Sequence, residues 1–197
     1  MTDVTWMDDG LARCWWAVAT PDPLMLAYHD EDWGRPVAGD AELFERLTLE
    51  AFQAGLSWRT ILAKRAAFQA AYRGFEPAVV AAFGATDRER LLADAGIVRN
   101  RAKIDASIGN AAVSLGLIDA FGSLAAYFAS IVPPPPRRLP PGTTGGQIPS
   151  RTPDSDRLSK DLASRGFRFV GSTSVYAFMQ SVGLVDDHLP GCFRYQG

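Results

Sequence analysis

The strongest constraint on how this 197-residue chain can fold comes from its scarcest side chains, two cysteines and two histidines. Cys14 and His29 stand near the start of the chain, His188 and Cys192 near its end in an H-x3-C spacing. A tetrahedral Cys2His2 zinc site would use all four, clip the two ends together and leave no open position for a catalytic water. Spacing alone leaves other readings open. Each cysteine can be a small buried hydrophobe and each histidine a hydrogen-bonded surface group. A disulfide is the third reading, and a cytoplasmic setting disfavours it.

With 47% hydrophobic and 11% aromatic residues, the chain can bury a sizeable core in one domain or two apposed helical lobes. No apolar run approaches the roughly 18 residues of a membrane helix. The opening MTDVTWMDDG is acidic, with no apolar stretch of a secretory signal behind it. These features predict a cytoplasmic protein without a membrane partner. The formal net charge of −2 does not advertise a nucleic-acid binder, but basic residues gather locally at Arg99, Arg101 and Lys103.

Helical punctuation recurs and no alternating strand pattern appears, so the fold class is predicted to be all-α. Asp40 can cap a helix carrying Leu43, Phe44, Leu47 and Phe52; Ser57 can start the next, which stops near Gly74; Pro77 suits the first turn of a third, closed by Gly84. Thr86-Asp87-Arg88-Glu89 has the form of a capping box, with Gly96 at the stop. From Arg101 to Leu117 apolar residues repeat at helical spacing, and later helices are placed at 120–131, 153–165 and 173–182. The proline-rich stretch 133–149 reads as a long surface loop. Residues 1–12 read as a flexible start, 13–192 as one domain and 193–197 as a tail.

Glu50 falls on the apolar stripe of the helix headed by Asp40, seven residues after Leu43 and three after Leu47. An inward carboxylate is costly unless paired or used, which makes Glu50 a site candidate; a buried pair with an arginine such as Arg59 is the alternative. Glu42 and Glu45 read as solvated or capping residues. Trp15, Trp16, Tyr28, Trp33 and Trp58 supply large rings, each singly a core residue. As a set with one fixed negative charge they suit a flat cation, such as an N-methylated purine. Between two helices, Gly96-Ile97-Val98-Arg99-Asn100 can aim backbone N–H groups at a phosphate, beside Arg99, Arg101 and Lys103; an ordinary helix connection would look the same.

The segments RCWW (13–16), LAYHDEDWGRPV (26–37), LFERLTLEAFQAGLSW (43–58), DAGIVRNRAKI (94–104), LSKDLASRGFRFVG (158–171) and GLVDDHLPGC (183–192) together resemble the DNA-3-methyladenine glycosylase I family from about Arg13 to Cys192. The resemblance implies a helix-hairpin-helix glycosylase fold and one structural zinc held by Cys14, His29, His188 and Cys192. It implies a base pocket lined by Trp16, Tyr28, Trp33 and Trp58, with Glu50 hydrogen-bonding the extruded base. Leu56 falls on the loop that fills the gap left in the duplex, and Gly96, Val98, Arg99, Arg101 and Lys103 on the DNA-facing hairpin. Two extra residues between Trp16 and Asp22, Met25 in place of a pocket tyrosine, and Phe52 in place of a polar residue depart from the family form.

The reaction so implied is hydrolysis of the N-glycosidic bond of 3-methyladenine by a monomer acting on damaged double-stranded DNA. Strand-cutting relatives carry a nucleophilic lysine near the position of Asn100, so a lyase step is not expected. Asp119 is a rival catalytic acid, set against its reading as the N-cap of a helix from Ala120. A zinc-stapled DNA-binding module without chemistry, and more remotely a zinc hydrolase, are the competing functions.

Overall fold

The computed structural model describes residues 3–134 and 136–196. Met1 and Thr2 of the expected flexible start, Pro135 of the proline-rich stretch and Gly197 of the expected tail lie outside the described residues. The chain is mostly helical. It departs from an all-α fold in two small ribbons that periodicity did not reveal: β1 (Val4–Trp6) pairs antiparallel with β2 (Ala12–Cys14), and β3 (Arg137–Arg138) lies parallel to β4 (Val185–Asp186). Runs of two or three residues are too short to carry an alternation. The ribbons also put backbone pairing into the N-terminal stretch and into the proline-rich one, where a short 3-10 turn follows at Gly145–Gln147.

The helices begin where polar caps and prolines stand. Asp22 accepts from the Leu24 N–H at the head of α2 (Pro23–Ala27), and a π-helical turn, Tyr28–Asp32, follows. Ser57 caps α4 (Trp58–Ala63), and α5 (Arg65–Ala71) continues after a one-residue break at Lys64. Pro77 opens α6 (Pro77–Ala81), Asn100 caps α8 (Arg101–Phe121), and Thr152 caps α10 (Pro153–Ser164). The four-residue α1 (Trp15–Val18) follows β2 directly, and α11 (Ser172–Ser181) closes the helical set.

Three expected boundaries move. Asp40 is the first residue of α3 (Asp40–Gln53), not its cap; its carboxylate accepts from the Leu124 N–H and so caps the neighbouring α9 (Leu124–Ile131). The Thr86 capping box does not form, because α7 (Ala85–Ala93) starts from Gly84, whose N–H donates to Asp87. And α8 runs through Asp119 to Phe121, stopping where Gly122 takes φ +86. Asp119 is therefore an exposed residue of the last turn of α8, neither an N-cap nor a pocket group.

By length and composition α8 is apolar enough to cross a membrane, contrary to the expectation that no run was. It is the core helix. Ile104, Ile108, Ala111 and Leu117 are buried against α3, α6, α7 and α9, and its buried Ser107, Asn110 and Ser114 all have hydrogen-bond partners. One apolar cluster runs from Leu43 in α3 to Val185 in β4. Phe52, the departure from the family pattern, packs there against Phe68 and Tyr72, with centroids 4.9 and 6.3 Å away. Smaller clusters gather around Cys14 and Cys192 and around Tyr28 and Trp33.

Because Asp40 caps α9 and not its own helix, Asp40→Ala should lower unfolding stability by about 1 kcal/mol. Loss of amide-exchange protection should be confined to the first turn of α9; fraying of α3 instead would contradict the assignment.

Candidate functional site

The two ends of the chain meet at the cysteines and histidines. The ligand atoms of Cys14, His29, His188 and Cys192 all lie within 4.8 Å of one another and all four residues are buried. Cys192 Sγ is 3.5 Å from His29 Nε2 and 3.8 Å from His188 Nδ1, and Cys14 Sγ is 3.9 Å from the same Nδ1. Both thiols are free, so the disulfide reading is not what the chain adopts. The far nitrogen of each ring is also held. His29 Nδ1 lies 2.8 Å from the Asp30 carboxylate, which Arg13 grips through two nitrogens, and His188 Nε2 lies 3.3 Å from the Trp33 carbonyl. Such outer partners fix which nitrogen faces inward. The set can hold a metal ion. The Cys14 thiol and the neighbouring imidazoles push the Cys192 thiol down, towards the thiolate a metal takes.

Against this cluster stands a pocket of about 280 Å³, whose lining joins α3 and the start of α4 to the aromatic N-terminal segment and α11. Four of the expected rings form its walls. Trp16 meets Trp33 edge-on at 5.0 Å, Tyr28 tilts against Trp58 at 5.2 Å, and Trp33 meets the His188 ring at 4.7 Å. Met25 lines the same wall, so the departure there is a real change of pocket surface. Trp15 points elsewhere and is about half exposed.

Glu50 reaches this pocket from the buried side of α3, 4% exposed, and its Oε2 has no hydrogen-bond partner. Burial pushes its carboxyl up to about 8, against the pull of Arg46 one helical turn earlier. The Arg59 pairing does not form: Arg59 is exposed and bonds Asp22. Arg46 itself was not foreseen. It is buried and held by Asp32 at 2.6 Å and Glu42 at 3.2 Å, while Arg65 bridges Asp32 and Glu45. Glu45 is thus a buried member of this network, not a solvated acid. The indole N–H of Trp58 is a second buried polar group without a partner. Burial, and then the Glu50 charge, keep the Tyr28 phenol neutral.

Four lining residues were missed. Gln53 is one turn beyond Glu50 on the same helix and could have been found by spacing. Ile148, Ala177 and Gln180 come from distant segments with no local signal.

The turn from Asp94 to Asn100 joins α7 to α8. Gly96 is required there by close packing, since a Cβ would lie 2.9 Å from Asp94 Oδ1 and 3.0 Å from the Ala67 Cβ. Arg99 and Arg101 are exposed and Val98 is half-buried. Among the described residues the N–H groups of Val98, Arg99, Arg101 and Ala102 meet no protein acceptor. Leu56 protrudes, 41% exposed, from the turn after α3. Lys103 does not join the basic face. Its side chain is buried and its Nζ donates to the carbonyls of Phe52 and Ala54, because the third position of α8 faces the end of α3.

The sequence model of the methyladenine glycosylase family matches residues 16–195. The DNA-3-methyladenine glycosylase 1 of Escherichia coli (strain K12) is 46% identical over 187 residues, 95% of this chain and 98% of the relative. A crystal structure of a 3-methyladenine DNA glycosylase I superimposes with a TM-score of 0.86 at 44% identity, covering 93% of this chain and 99% of that one. The Staphylococcus aureus enzyme, solved for the structural basis of its 3-methyladenine recognition, gives 0.86 at 38% identity over 90% of this chain and 94% of its own. This chain belongs to the methyladenine glycosylase family.

Proposed function

We propose that this protein excises 3-methyladenine from damaged double-stranded DNA by hydrolysing its N-glycosidic bond, without cutting the strand. One observation carries the reading: a buried carboxylate and a buried indole N–H, both without partners, open into a pocket walled by aromatic rings. Buried polar groups normally find partners, so a ligand with a matching donor and acceptor edge is what this pocket lacks. A purine made cationic by methylation supplies a flat face for the rings, donors for Glu50 and a ring nitrogen for Trp58. Pure phosphate binding would need neither group.

The chemistry asks little of a proton donor, because the cationic base leaves as a neutral molecule. The protein must flip the nucleotide, at a cost of a few kcal/mol, and hold the base between Trp16, Tyr28, Trp33 and Trp58. Leu56, on its exposed turn, fills the space left in the duplex. Entry of the cation restores a charge partner to Glu50 and draws its proton off. The resulting carboxylate, with the DNA phosphates, then stabilises positive charge on the sugar as water attacks. No lysine lines the pocket among the described residues, which supports hydrolysis over a lyase step. The α7–α8 hairpin, read as a helix-hairpin-helix element, meets phosphate through the free N–H groups of Val98, Arg99, Arg101 and Ala102, with the Arg99 and Arg101 side chains beside them.

Zinc is the metal the four-residue cluster fits. Tetrahedral zinc with thiolate and imidazole ligands sets sulfur–nitrogen edges of about 3.6 Å, close to the 3.5, 3.8 and 3.9 Å found. Held by Cys14, His29, His188 and Cys192, it would serve as a structural staple with no open coordination position. The monomeric state belongs to the same reading.

Free 3-methyladenine should quench the pocket tryptophans, and Glu50→Gln should weaken excision about 10- to 100-fold by removing one charged hydrogen bond. Because Glu50 in the empty pocket titrates near 8, excision kcat/KM at limiting DNA should rise with pH to a plateau above about 8. The same limb should be absent from Glu50→Gln. The stability effect has the opposite sign. Burial raises the folded pKa above the ordinary 4.5, so the cost of keeping Glu50 protonated in the fold, while the unfolded chain ionises, grows from pH 5 to 8, and Glu50→Gln should gain stability over wild type across that window. A pH-independent difference between the two proteins would contradict the assignment.

Freshly purified, untagged protein should carry about one zinc per chain, and chelation should cost several kcal/mol of stability. It should also shift the tryptophan emission, since Trp33 packs on His188. Metal content below about half an equivalent would argue against the staple.

A further inference from the structure

The chain has three lysines, and two of them tie the α7–α8 hairpin region to neighbouring segments, one from each side of the contact. From the start of α8, Lys103 Nζ donates to the Phe52 carbonyl at 2.8 Å and the Ala54 carbonyl at 2.7 Å. From the break between α4 and α5, Lys64 Nζ donates to the Ala95 carbonyl at 3.0 Å and the Gly96 carbonyl at 3.1 Å. One ammonium thus leaves the hairpin for the end of α3, and the other leaves the α4–α5 junction for the hairpin.

The acceptors explain why these ties matter. The last carbonyls of a helix have no partners inside the helix. At the end of α3, Lys103 takes those of Phe52 and Ala54, and the Leu56 N–H takes that of Gln53 at 2.6 Å. The chain then turns through Gly55 at φ +84 and presents Leu56 to solvent, while Glu50 and Gln53 face the pocket one turn back. On the other side, Lys64 and the Asp94 carboxylate, which accepts from the Gly96 N–H at 2.7 Å, fix the hairpin backbone whose outer N–H groups are free. A cation bonded to two carbonyls of another segment defines distance as well as attraction.

We propose that Lys64 and Lys103 are positioning residues that hold the phosphate-facing hairpin and the Leu56 turn in one register, so that gripping the DNA backbone places the extruded base over Glu50 and Gln53. This rests on the function proposed above and adds to it a coupling between DNA grip and base capture. Neither lysine touches base or phosphate. Burial lowers the pKa of the Lys103 ammonium, consistent with its enclosed position.

The test uses Lys103→Met and Lys64→Met in the full-length protein. Three quantities are read: the single-turnover rate of 3-methyladenine release from methylated duplex, affinity for unmodified duplex, and fluorescence quenching by the free base. Each variant should lose about 10- to 100-fold in single-turnover rate, with free-base and duplex affinities within about twofold of wild type. In a Leu56→Ala background the loss from Lys103→Met should shrink to less than about threefold, because the turn being positioned no longer carries its side chain. Lys64→Arg, which keeps a cation at the junction, should retain most of the rate. A release rate close to wild type in the methionine variants would overturn the proposal. So would free-base binding that falls in parallel with the rate, the mark of general damage, or a Lys103→Met loss undiminished by Leu56→Ala. If Lys103→Met does not fold, the half-buried Lys64 decides alone. If wild-type protein releases no base at all, the underlying function fails, and the positioning role with it.

Discussion

The meeting of Cys14 and His29 with His188 and Cys192 is the contact on which the rest of the site depends. Trp16 follows Cys14 by two residues, Tyr28 precedes His29, and the Trp33 carbonyl receives the far nitrogen of His188. Three of the four pocket walls are therefore fixed by the residues that join the chain ends. The short ribbons belong to the same arrangement, since β2 ends on Cys14 and β4 ends two residues before His188. Without this junction the N-terminal aromatic segment would rest on the short helices α1 and α2 and on two backbone hydrogen bonds, from the Gly34 N–H to the Gln180 carbonyl and from the Val37 N–H to the Val182 carbonyl, and helices of four or five residues are marginal by themselves.

The second constraint is electrostatic. A carboxylate placed among rings must be sustained by something, and here the support lies behind the pocket. Arg46 stands one turn before Glu50 and is itself held by Asp32 and Glu42, with Arg65 tying Asp32 to Glu45. Two arginine nitrogens of Arg46 remain without partners. Even so, burial outweighs the arginine, and the empty pocket favours the neutral acid. That balance suits a site whose ligand brings its own positive charge: the carboxylate is most stable as an ion only when the cation is present. The enclosed position of Lys103 extends the same economy of charge, with a cation directed at helix-end carbonyls and not at DNA.

Much of this was legible in the sequence, for physical reasons that can be named. Local rules placed most helices, because Ser57 and Pro77 act through hydrogen bonds and dihedrals within a few residues, and the helical spacing of apolar residues from Arg101 onward marks α8. Glu50 was legible because helical spacing puts it on a face otherwise apolar. What was not legible depends on partners far along the chain. Asp40 was read as capping its own helix, but its acceptor oxygen meets Leu124, 84 residues on. Glu45 was read as solvated because its partner, Arg65, lies 20 residues away. Lys103 looked like part of a basic face, since nothing nearby reveals the carbonyls of Phe52 and Ala54 that it meets. The four-residue cluster stayed ambiguous by spacing alone and became a candidate metal site only when distances were known.

The most direct measurement for this account is chromatographic identification of what the purified protein releases from a methylated DNA duplex. The expected product is free 3-methyladenine, accompanied by abasic sites in strands that remain intact until treated with base. DNA binding without release of any methylated purine would contradict it, and strand cleavage by the protein itself would contradict the hydrolytic, lyase-free reaction.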